Sequence, residues 1–361
     1  MHNGISYYTR DQEETSMKKV LLLLLPFFFL LTTTASAGSN DAIFPSPSVA
    51  SLPAMAQPFE SPINYTNLPQ LNKLDHSTSS LLFGVVSDIH VQSTNTVSQN
   101  KFSQMLGDMV QLHVPNLIIN GDLGDGMPQD YHTLGSLIAR QKSAPAIFYT
   151  IGNHEFYKAY HDPVTNDWSP KTFPNDETNE MALKRFYKLS GHDQVYYDQY
   201  LKGYHFIFLG SEKSAISDPT YGDRAYLSDE QLGWLELKLK ENYTFGKPIF
   251  VFLHQPLIGH ESNVNDFIIQ ADRLREILKQ FPEVIFFSGH MHRELKLPTT
   301  AFKDGFVMMS SSSVYLPRDS HGNFLPDKSE GLVIQVKNSQ VIIKGRDFMS
   351  QTWIPGTTYE F

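Results

Sequence analysis

Seven residues whose side chains can ligate metal ions lie in five short blocks along the chain. The blocks are Asp88-Ile89-His90, Gly121-Asp122, Gly152-Asn153-His154-Glu155, His254 and Gly289-His290-Met291-His292, and the candidate ligands are Asp88, His90, Asp122, Asn153, His254, His290 and His292. Because the chain has no cysteine, these are oxygen and nitrogen ligands without sulfur. Such a set suits manganese, iron, zinc, nickel or cobalt rather than calcium, which takes oxygen ligands. The residue types therefore predict a transition-metal site.

Each block directly follows an apolar run that is typical of a buried strand. The runs cover residues 81–87, 116–120, 146–150, 248–253 and 284–288, and helical patterns cover 94–112, 130–141, 228–241 and 266–280. Strands that alternate with helices indicate βαβ units and a largely parallel sheet. In open sheets of this kind, ligands bind beyond the carboxyl ends of the strands. We therefore expect the five blocks to converge at one edge of the sheet.

Local patterns also predict how single elements begin and turn. Ser228 is expected to cap the helix over 228–241, and Gln231 to complete a capping box. The C-terminal runs 305–310, 332–336 and 340–346 indicate strands, the last two joined in a hairpin at Asn338-Ser339. The polar and aromatic stretch 156–200 interrupts the alternation and carries one expected helix over 180–189. It is either a wall or lid of the site or a surface elaboration without contact to substrate.

The spacing within the blocks favours a single shared site. In an extended segment, residues i and i+2 point to the same side, so Asp88-x-His90 and His290-x-His292 can each turn two ligands toward it. Glycines next to the ligands permit tight turns and close approach of the backbone. A carboxylate such as that of Asp122 can bridge two ions about 3.5–4 Å apart, as in hydrolysis at phosphorus by two metals.

Taken in order, the five blocks resemble the pattern D-x-H, GD, GNH[DE], H and GHxH of the calcineurin-like metallophosphoesterase superfamily. The resemblance extends over residues 81–346. It implies an α/β fold, namely a four-layer αββα sandwich of two mixed β-sheets flanked by helices. It also implies one metallophosphoesterase domain over 81–361, with an insertion at 156–200, and metal-dependent phosphoester hydrolysis as the activity.

The same resemblance implies a dinuclear metal centre. Asp88, His90, Asp122 and His292 would hold the first ion, and Asp122, Asn153, His254 and His290 the second. The cofactors would be two divalent or trivalent transition metal ions, with manganese, iron or zinc expected. His154 would not ligate; it would be the catalytic residue that stabilises or protonates the leaving oxygen. A hydroxide that bridges the metals would attack phosphorus in line.

The substrate class stays open among three interpretations. The segments Gly121-Asp122-Leu123-Gly124-Asp125, Gln231-Leu232-Gly233-Trp234 and His254-Gln255-Pro256 resemble class III cyclic nucleotide phosphodiesterases, which favours phosphodiester hydrolysis. A phosphomonoesterase related to purple acid phosphatases is the alternative, although those enzymes place a tyrosine ligand where this chain has Asp125. The third interpretation is a catalytically inactive extracellular binding protein that the metals stabilise.

Several other side chains are candidates for supporting roles. Asp125 is expected either to orient a ligand or to form a turn. His260 lies six residues after His254 and would be able to reach the substrate. Tyr315 and residues 310–313 are expected to line the edge of the pocket.

The N-terminus has the three-part layout of a secretory signal peptide. A positive start at Met17-Lys18-Lys19 precedes an apolar run over 20–31 and the small residues Ala35-Ser36-Ala37. The twelve apolar residues fall short of the roughly 20 that span a bilayer as a helix, so no stable membrane anchor is expected. We expect Met17 to be the true start, cleavage after Ala37, a flexible leader over 38–80, and secretion of the protein.

The net charge and the composition of the chain limit the classes of molecule that it is expected to bind. The chain has a net charge of −9, and no block of lysine and arginine interrupts it. A mildly acidic protein of this kind is not expected to bind nucleic acid specifically. The expected partner is a small phosphoester substrate, which the metals would attract locally. The sequence leaves the oligomeric state open.

Overall fold

A computed structural model describes residues 57–58, 74–77, 80–257 and 267–361 of the chain. The expected extension and signal peptide (1–37), most of the expected leader (38–80) and His260 lie outside the described residues, so those predictions stay predictions. No helix in the described ranges has the length and apolar character needed to cross a membrane.

Strands and helices alternate through most of the described chain. The strands are β1 (Gln57–Pro58), β2 (Leu81–Val86), β3 (Asn116–Asn120), β4 (Ala146–Thr150), β5 (Tyr197–Leu201), β6 (Tyr204–Phe208), β7 (Ile249–Phe252), β8 (Val284–Ser288), β9 (Ala301–Lys303), β10 (Val307–Ser310), β11 (Glu330–Lys337), β12 (Gln340–Asp347) and β13 (Thr352–Glu360). The α-helices are α1 (Thr96–Gln111), α2 (Pro128–Arg140), α3 (Asn179–Ser190), α4 (Asp229–Lys240) and α5 (Ala271–Leu278). Short 3₁₀ helices cover His154–Tyr160, Pro170–Thr172, Pro219–Tyr221 and Pro298–Thr300.

The strands form two mixed sheets rather than one largely parallel sheet. The six-stranded sheet has the order β13-β12-β11-β2-β3-β4, with β2, β3 and β4 parallel and the other pairs antiparallel. The seven-stranded sheet has the order β1-β9-β10-β8-β7-β6-β5, with a parallel centre from β10 to β6. The chain thus divides its parallel strands between two sheets, and each sheet has antiparallel edges.

Both faces of the central strands are buried. In β2, Phe83 and Val85 belong to a core cluster made of residues from both sheets, whereas Leu82 and Val86 pack with residues of the helices. This alternation follows from the period of two along a strand. Between the sheets, fully buried phenylalanines from both sides pack together: Phe83, Phe206, Phe208, Phe250, Phe252 and Phe287. The result is the four-layer αββα sandwich, and the predicted fold class is confirmed.

The start of α4 confirms one local prediction and corrects another. The Ser228 hydroxyl accepts a hydrogen bond from the backbone N–H of Gln231, as expected of a helix cap. Gln231 does not complete a capping box, because its side chain instead bonds both backbone groups of Gly210. The carboxylate of Glu212 accepts the backbone N–H of Ser228 in its place, at 2.6 Å. A residue distant in sequence therefore closes this helix end.

The C-terminal hairpin forms as predicted, with β11 and β12 joined at Asn338-Ser339. Both turn residues have positive φ, 51° and 66°, which is the backbone of the tight turns that suit strand twist. Four strands were not expected, β1, β5, β9 and β13, and all of them lie at or next to sheet edges. The predicted insertion over 156–200 contains α3 where a helix was expected, but its last residues belong to β5.

Candidate metal centre

The seven candidate ligands lie just beyond the carboxyl ends of five strands. β2, β3 and β4 lead to Asp88 and His90, to Asp122, and to Asn153, whereas β7 and β8 lead to His254 and to His290 and His292. The first three strands belong to the six-stranded sheet and the other two to the seven-stranded sheet. The expectation of a single sheet edge was therefore wrong, because the site spans the ends of both sheets.

The backbone of the ligand turns is unusual. Five of the seven ligands have positive φ: Asp88 (52°), His90 (41°), Asp122 (54°), His290 (70°) and His292 (57°). Only a few per cent of residues other than glycine adopt this conformation, and it costs of order 1–3 kcal/mol each at strained sites. The predicted extended geometry of the two i, i+2 pairs was thus wrong. Each pair faces the site because its chain turns sharply, not because it continues the strand.

A first group of ligand atoms forms around Asp88. Together with His90, Asp122 and His292 it brings one ligand atom from each residue within 4.8 Å of the others. His292 Nε2 lies 3.0 Å from Asp88 Oδ1 and 3.1 Å from His90 Nε2. Ligands at about 2.0–2.2 Å from one ion have separations of this order. Burial, with His154 adding to it, lowers the pKa of His90 to about 3, so its imidazole is neutral as a metal ligand must be.

A second group forms around His254. Its Nε2 lies 3.1 Å from Asp122 Oδ2, and His290 completes the group. His290 Nδ1 lies 3.0 Å from Asn153 Oδ1, which brings the amide oxygen to the same place. The same Asp122 oxygen lies 3.9 Å from His90 Nε2 in the first group. Asp122 Oδ2 is therefore positioned between the two groups, as a shared ligand must be.

Hydrogen bonds outside the site aim the ligand atoms inward. His254 Nδ1 donates to the carbonyl oxygen of Asn120 at 2.8 Å, and His292 Nδ1 to that of Leu316 at 3.0 Å. A carbonyl oxygen only accepts, so in both rings Nε2 is the nitrogen left for the site. Asp88 Oδ2 accepts from the Ser87 hydroxyl and from the backbone N–H of His290, which leaves Oδ1 for the site.

The donor set fits bound metal ions. Asp88 Oδ1 and His254 Nε2 are buried without a hydrogen-bond partner among the described residues, and they lie 3.8 Å apart. Buried polar atoms without partners are unfavourable, and a cation between them would remove that cost. Burial lowers the pKa of His254, but the carboxylates of Asp122 and Asp88 outweigh it and raise the value to about 9. A metal ion would supply the positive charge that this proton otherwise brings.

His154 lies beside the ligands and is held by Asp125. Its Nε2 is 3.9 Å from Asp122 Oδ2, and its Nδ1 is 2.8 Å from Asp125 Oδ1. Burial opposes protonation, but Asp122 and Asp125 raise the pKa of His154 to about 10. The ring packs against that of Tyr157 with 3.9 Å between centroids and a tilt of 31°. The two alternatives for Asp125 are thus resolved: it orients a side chain of the site, and that side chain is His154 rather than a metal ligand.

The buried side chain of Glu155 connects the turn that contains Asp122 with the turn that contains Asn153. Its carboxylate accepts backbone N–H groups from Leu123 at 2.8 Å, from Asp122 at 3.2 Å and from Gly152 at 2.6 Å. Burial, followed by the charge of Asp122, raises its pKa to about 7. The side chain therefore fixes the position of Asp122 relative to the turn that carries Asn153 and His154.

Two glycines confirm the predicted close approach of backbone to ligand. A Cβ atom at Gly152 would overlap Asp122 Oδ1, and one at Gly289 would overlap Asp88 Oδ2 and the Ser87 hydroxyl. Larger residues at either position would displace a ligand carboxylate, so the spacing of the motifs has a steric basis.

Sequence reasoning missed Asn120, which ties the two sheets together behind the site. Its side-chain amide donates to the carbonyl oxygens of Leu253 at 3.2 Å and Phe287 at 3.1 Å, at the ends of strands in the other sheet. Its Oδ1 accepts from the Thr150 hydroxyl at 2.7 Å. The available signal was a polar residue at the end of an apolar strand, directly before the Gly-Asp block.

Tyr157 and Asp223 were also missed. The Asn153 amide donates to the Tyr157 hydroxyl at 3.1 Å, which in turn donates to Asp223 Oδ1 at 2.7 Å. This chain of hydrogen bonds turns Asn153 Oδ1 toward the site. No motif in the sequence connects residue 223 with the metal ligands.

The serines after β10 do not line an open edge as expected. Ser311, Ser312 and Ser313 are fully buried, and Ser313 donates to the backbone carbonyl of Asp88 at 3.0 Å. They support the turn of Asp88 from behind, so the prediction was wrong for them. Tyr315 does lie near the site, with its ring 6.0 Å from that of His90.

A sequence model of calcineurin-like phosphoesterases matches residues 81–294, more than half of the 361-residue chain. The chain belongs to this family. The match covers every candidate ligand, from Asp88 to His292. This phosphoesterase is therefore a member of a family of metal-dependent enzymes, and its fold agrees with that membership. A search of the curated proteins finds no match.

The solved structures of two phosphatases resemble the structure of this phosphoesterase. A dimetal phosphatase from Danio rerio has 14% sequence identity and a TM-score of 0.55, with 78% of this chain and 98% of that chain covered. A purple acid phosphatase, PPD1 from yellow lupin (Lupinus luteus), has 13% identity and a TM-score of 0.50, with 79% of this chain and 54% of that chain covered. At such identities the similarity shows the shared fold alone.

Proposed function

We propose that this protein hydrolyses small phosphodiesters, with His154 as the proton donor to the leaving oxygen and two metal ions held by the seven ligands. The observation that carries the proposal is the 2.8 Å contact of His154 Nδ1 with Asp125 Oδ1, while Nε2 lies 3.9 Å from the shared ligand Asp122. A protonated imidazole is thereby held next to the place where a phosphate would meet the ligand groups.

The contacts within the site suggest a separate role for each group of residues. Asp88, His90, Asp122 and His292 would hold one ion, and Asp122, Asn153, His254 and His290 the other. When bound, such ions lower the pKa of water and offset the charge of the phosphate. Asp125 keeps the proton of His154 on Nδ1 and orients Nε2, so that Nε2 can pass a proton to the departing alcohol. Asn153 ligates without adding negative charge, which favours an anionic substrate.

Preference for diesters over monoesters is part of the proposal. It is supported by a recess beside Asn153, lined in part by Tyr157 and Arg224, toward which the second ester group of a diester would point. The position of Asp125 supports it as well, because the carboxylate serves His154 and no tyrosine ligand stands there.

The ratio of kcat/KM for bis(p-nitrophenyl) phosphate and p-nitrophenyl phosphate tests the proposal, with the manganese-loaded chain from Gly38. A ratio well above one is expected. A ratio well below one would establish a monoesterase instead. Hydrolysis should fall in both His154→Ala and Asn153→Ala while the folded state persists. Absence of turnover with both substrates would leave the metal-stabilised binding protein as the explanation.

We also propose that the protein is exported after cleavage behind Ala37. The three-part layout of residues 17–37 supports this. N-terminal sequencing of the protein recovered outside the producing cells should begin at Gly38. Recovery of the chain only inside the cells, with its first residues intact, would refute export.

A further inference from the structure

His154 and Asp125 lie on two separate turns, 29 residues apart in sequence. His154 begins the 3₁₀ helix His154–Tyr160, whereas Asp125 lies in the loop between β3 and α2. A hydrogen bond weakens steeply when its distance or angle departs from the optimum. The 2.8 Å contact between the two side chains therefore depends on how firmly the two turns are held together.

The backbone beside Asp125 is held by a residue of the insertion. A Cβ atom at Gly126 would overlap the backbone carbonyl of Glu155, so this loop packs directly against the residue that follows His154. The carbonyl oxygen of Gly126 accepts a hydrogen bond from Arg185 Nε at 2.8 Å. Since Arg185 belongs to α3, the insertion fixes the loop at the residue next to the carboxylate.

Arg185 is also one of two cations on a buried carboxylate. Its Nη2 lies 2.7 Å from Glu177 Oε1, and Lys158 Nζ lies 2.8 Å from Glu177 Oε2. Glu177 is only 2% exposed, and a buried carboxylate needs such partners to offset the loss of water. Lys158 lies on the 3₁₀ helix that begins at His154. These three residues, all within the insertion, thus connect the helix of His154 to the loop of Asp125.

Two further contacts of the insertion reach the same place. The Asn175 amide donates to the carbonyl oxygen of Ala159 at 2.8 Å, which holds the far end of the 3₁₀ helix. His161 Nε2 lies 4.0 Å from Asp125 Oδ2, and its ring is fixed because Nδ1 donates to the carbonyl oxygen of Asn166 at 2.9 Å. The insertion therefore surrounds the pair with contacts to its backbone and to its carboxylate.

We infer that Glu177 and Arg185 are positioning residues for His154 and Asp125. They fix the spacing of the two turns and thereby the geometry of the proton donor. The inference rests on the proposed function, in which His154 protonates the leaving oxygen. The insertion over 156–200 thus acts on the reaction through the acid pair, a role different from both the wall or lid and the surface elaboration considered for it.

Arg185→Met tests the inference through the dependence on the leaving group. Diphenyl phosphate needs a proton on its leaving oxygen far more than bis(p-nitrophenyl) phosphate does. Because misplacement of a catalytic group by about 1 Å can cost about 100-fold, kcat for the phenyl ester should fall by about 10- to 100-fold. Both KM values and kcat for the p-nitrophenyl ester should stay close to those of the parent. Equal losses of kcat on the two esters would indicate a general structural role and overturn the inference.

A second background and a matched control sharpen the test. In Asp125→Asn, where the pair is already broken, Arg185→Met should add no further selective loss, and an additive loss would place its effect elsewhere. Arg346→Met is the control, because Arg346 also pairs with a buried carboxylate, that of Asp108, between β12 and α1. It should lower stability without changing the ratio of the two esters. Glu177→Gln keeps the shape of the ion cluster and replaces Arg185→Met if that chain does not fold.

A measurement without turnover separates this inference from the proposed function. In the zinc-loaded chain labelled with ¹⁵N-histidine, the Nδ1 proton of His154 should give a downfield resonance that Asp125→Asn removes. Arg185→Met should shift that resonance and speed its exchange with water. A resonance unchanged in both position and exchange would overturn the inference. A shifted resonance in a protein whose parent hydrolyses neither ester would refute the proposed function and leave the positioning role standing.

Discussion

Replacement of Asp125 by asparagine should convert His154 into a poor proton donor. In the parent, the Asp125 carboxylate lies 2.8 Å from His154 Nδ1 and helps to raise the pKa of that imidazole to about 10. Asparagine has nearly the same shape but no charge. It also keeps an oxygen for the contact that Gln92 makes with Asp125. The perturbation therefore removes the charge and leaves the surrounding packing in place.

The magnitude follows from that one contact. A hydrogen bond between charged partners contributes about 1.5–3 kcal/mol, and 1.36 kcal/mol corresponds to a tenfold change in rate. The rate of a reaction that needs the proton should fall by about 10- to 150-fold. Since the lost charge had raised the pKa of His154, the protonated form should disappear at lower pH. The alkaline limb of the kcat profile should shift toward lower pH.

The assay compares diphenyl phosphate with bis(p-nitrophenyl) phosphate. Phenolate is a poor leaving group that needs the proton, whereas p-nitrophenolate departs readily without it. The full loss is therefore expected with the phenyl ester and a smaller loss with the p-nitrophenyl ester. Asp130→Asn is the matched control, because Asp130 is a buried carboxylate that accepts the backbone N–H of Asp125 at 3.1 Å and contacts no part of His154. That control should lower the melting temperature without changing the leaving-group dependence. An equal loss on both esters in Asp125→Asn would refute the role of His154 as the acid.

Three further predictions concern stability and metal binding. Glu155→Gln leaves backbone N–H groups of the two ligand turns without a full acceptor. It should therefore lower the free energy of unfolding by about 1–3 kcal/mol and weaken metal binding. Denaturant titrations with and without metal measure both effects, and an unchanged unfolding midpoint would contradict the prediction. In the parent, the Arg346 guanidinium contacts the buried Asp108 carboxylate at 2.7 and 2.8 Å, and Arg346→Ala leaves that carboxylate without its partner. The free energy of unfolding in urea should therefore fall by about 3–5 kcal/mol. A fall below about 1 kcal/mol would show that the pair is solvated. Removal of metal by a chelator should abolish hydrolysis and lower the melting temperature, because an ion at 100 times its Kd stabilises the folded state by about 2.7 kcal/mol. The melting temperature of Asn153→Ala should rise less than that of the parent when manganese is added. An identical rise would show that Asn153 is not a ligand.

Much of the fold could be predicted because its central strands are buried on both faces. Such strands appear in the sequence as continuous apolar runs, and β3, β4 and β8 were predicted residue for residue. Their division between two sheets could not be predicted from the runs, because pairing partners such as β2 and β11 are far apart in sequence. The resemblance to a family supplied that part of the prediction.

Edge strands escaped prediction for a different reason. β13 contains Pro355 and Gly356, residues that are depleted in strand interiors and tolerated at edges. β5 is only partly buried and carries polar residues such as Asp198 and Gln199, so no clean alternation marks it. Apolar runs and alternation in the sequence arise where side chains are buried. An edge strand buries few side chains, so it leaves no such pattern.

The residues of the site also divide into those that the sequence predicted and those that only the structure shows. The ligands were recognisable because their types and order are dictated by the chemistry of metal binding. Residues that hold them, such as Asn120 and Asp223, act through backbone groups of the other sheet or through hydrogen bonds between distant loops. Those contacts have no fixed spacing in sequence, and only the folded chain brings them together.

The left-handed backbone of the ligand turns sets a conflict between activity and folding. His90, His290 and His292 adopt positive φ, a backbone that residues other than glycine rarely take. Glycine adopts the same backbone without steric penalty, so in His292→Gly the relief of strain should offset part of the stability lost with the imidazole and its hydrogen bond to Leu316, while metal binding is lost. Loss of one of these ligands would therefore relax the backbone of its turn at the same time as it removes the metal centre.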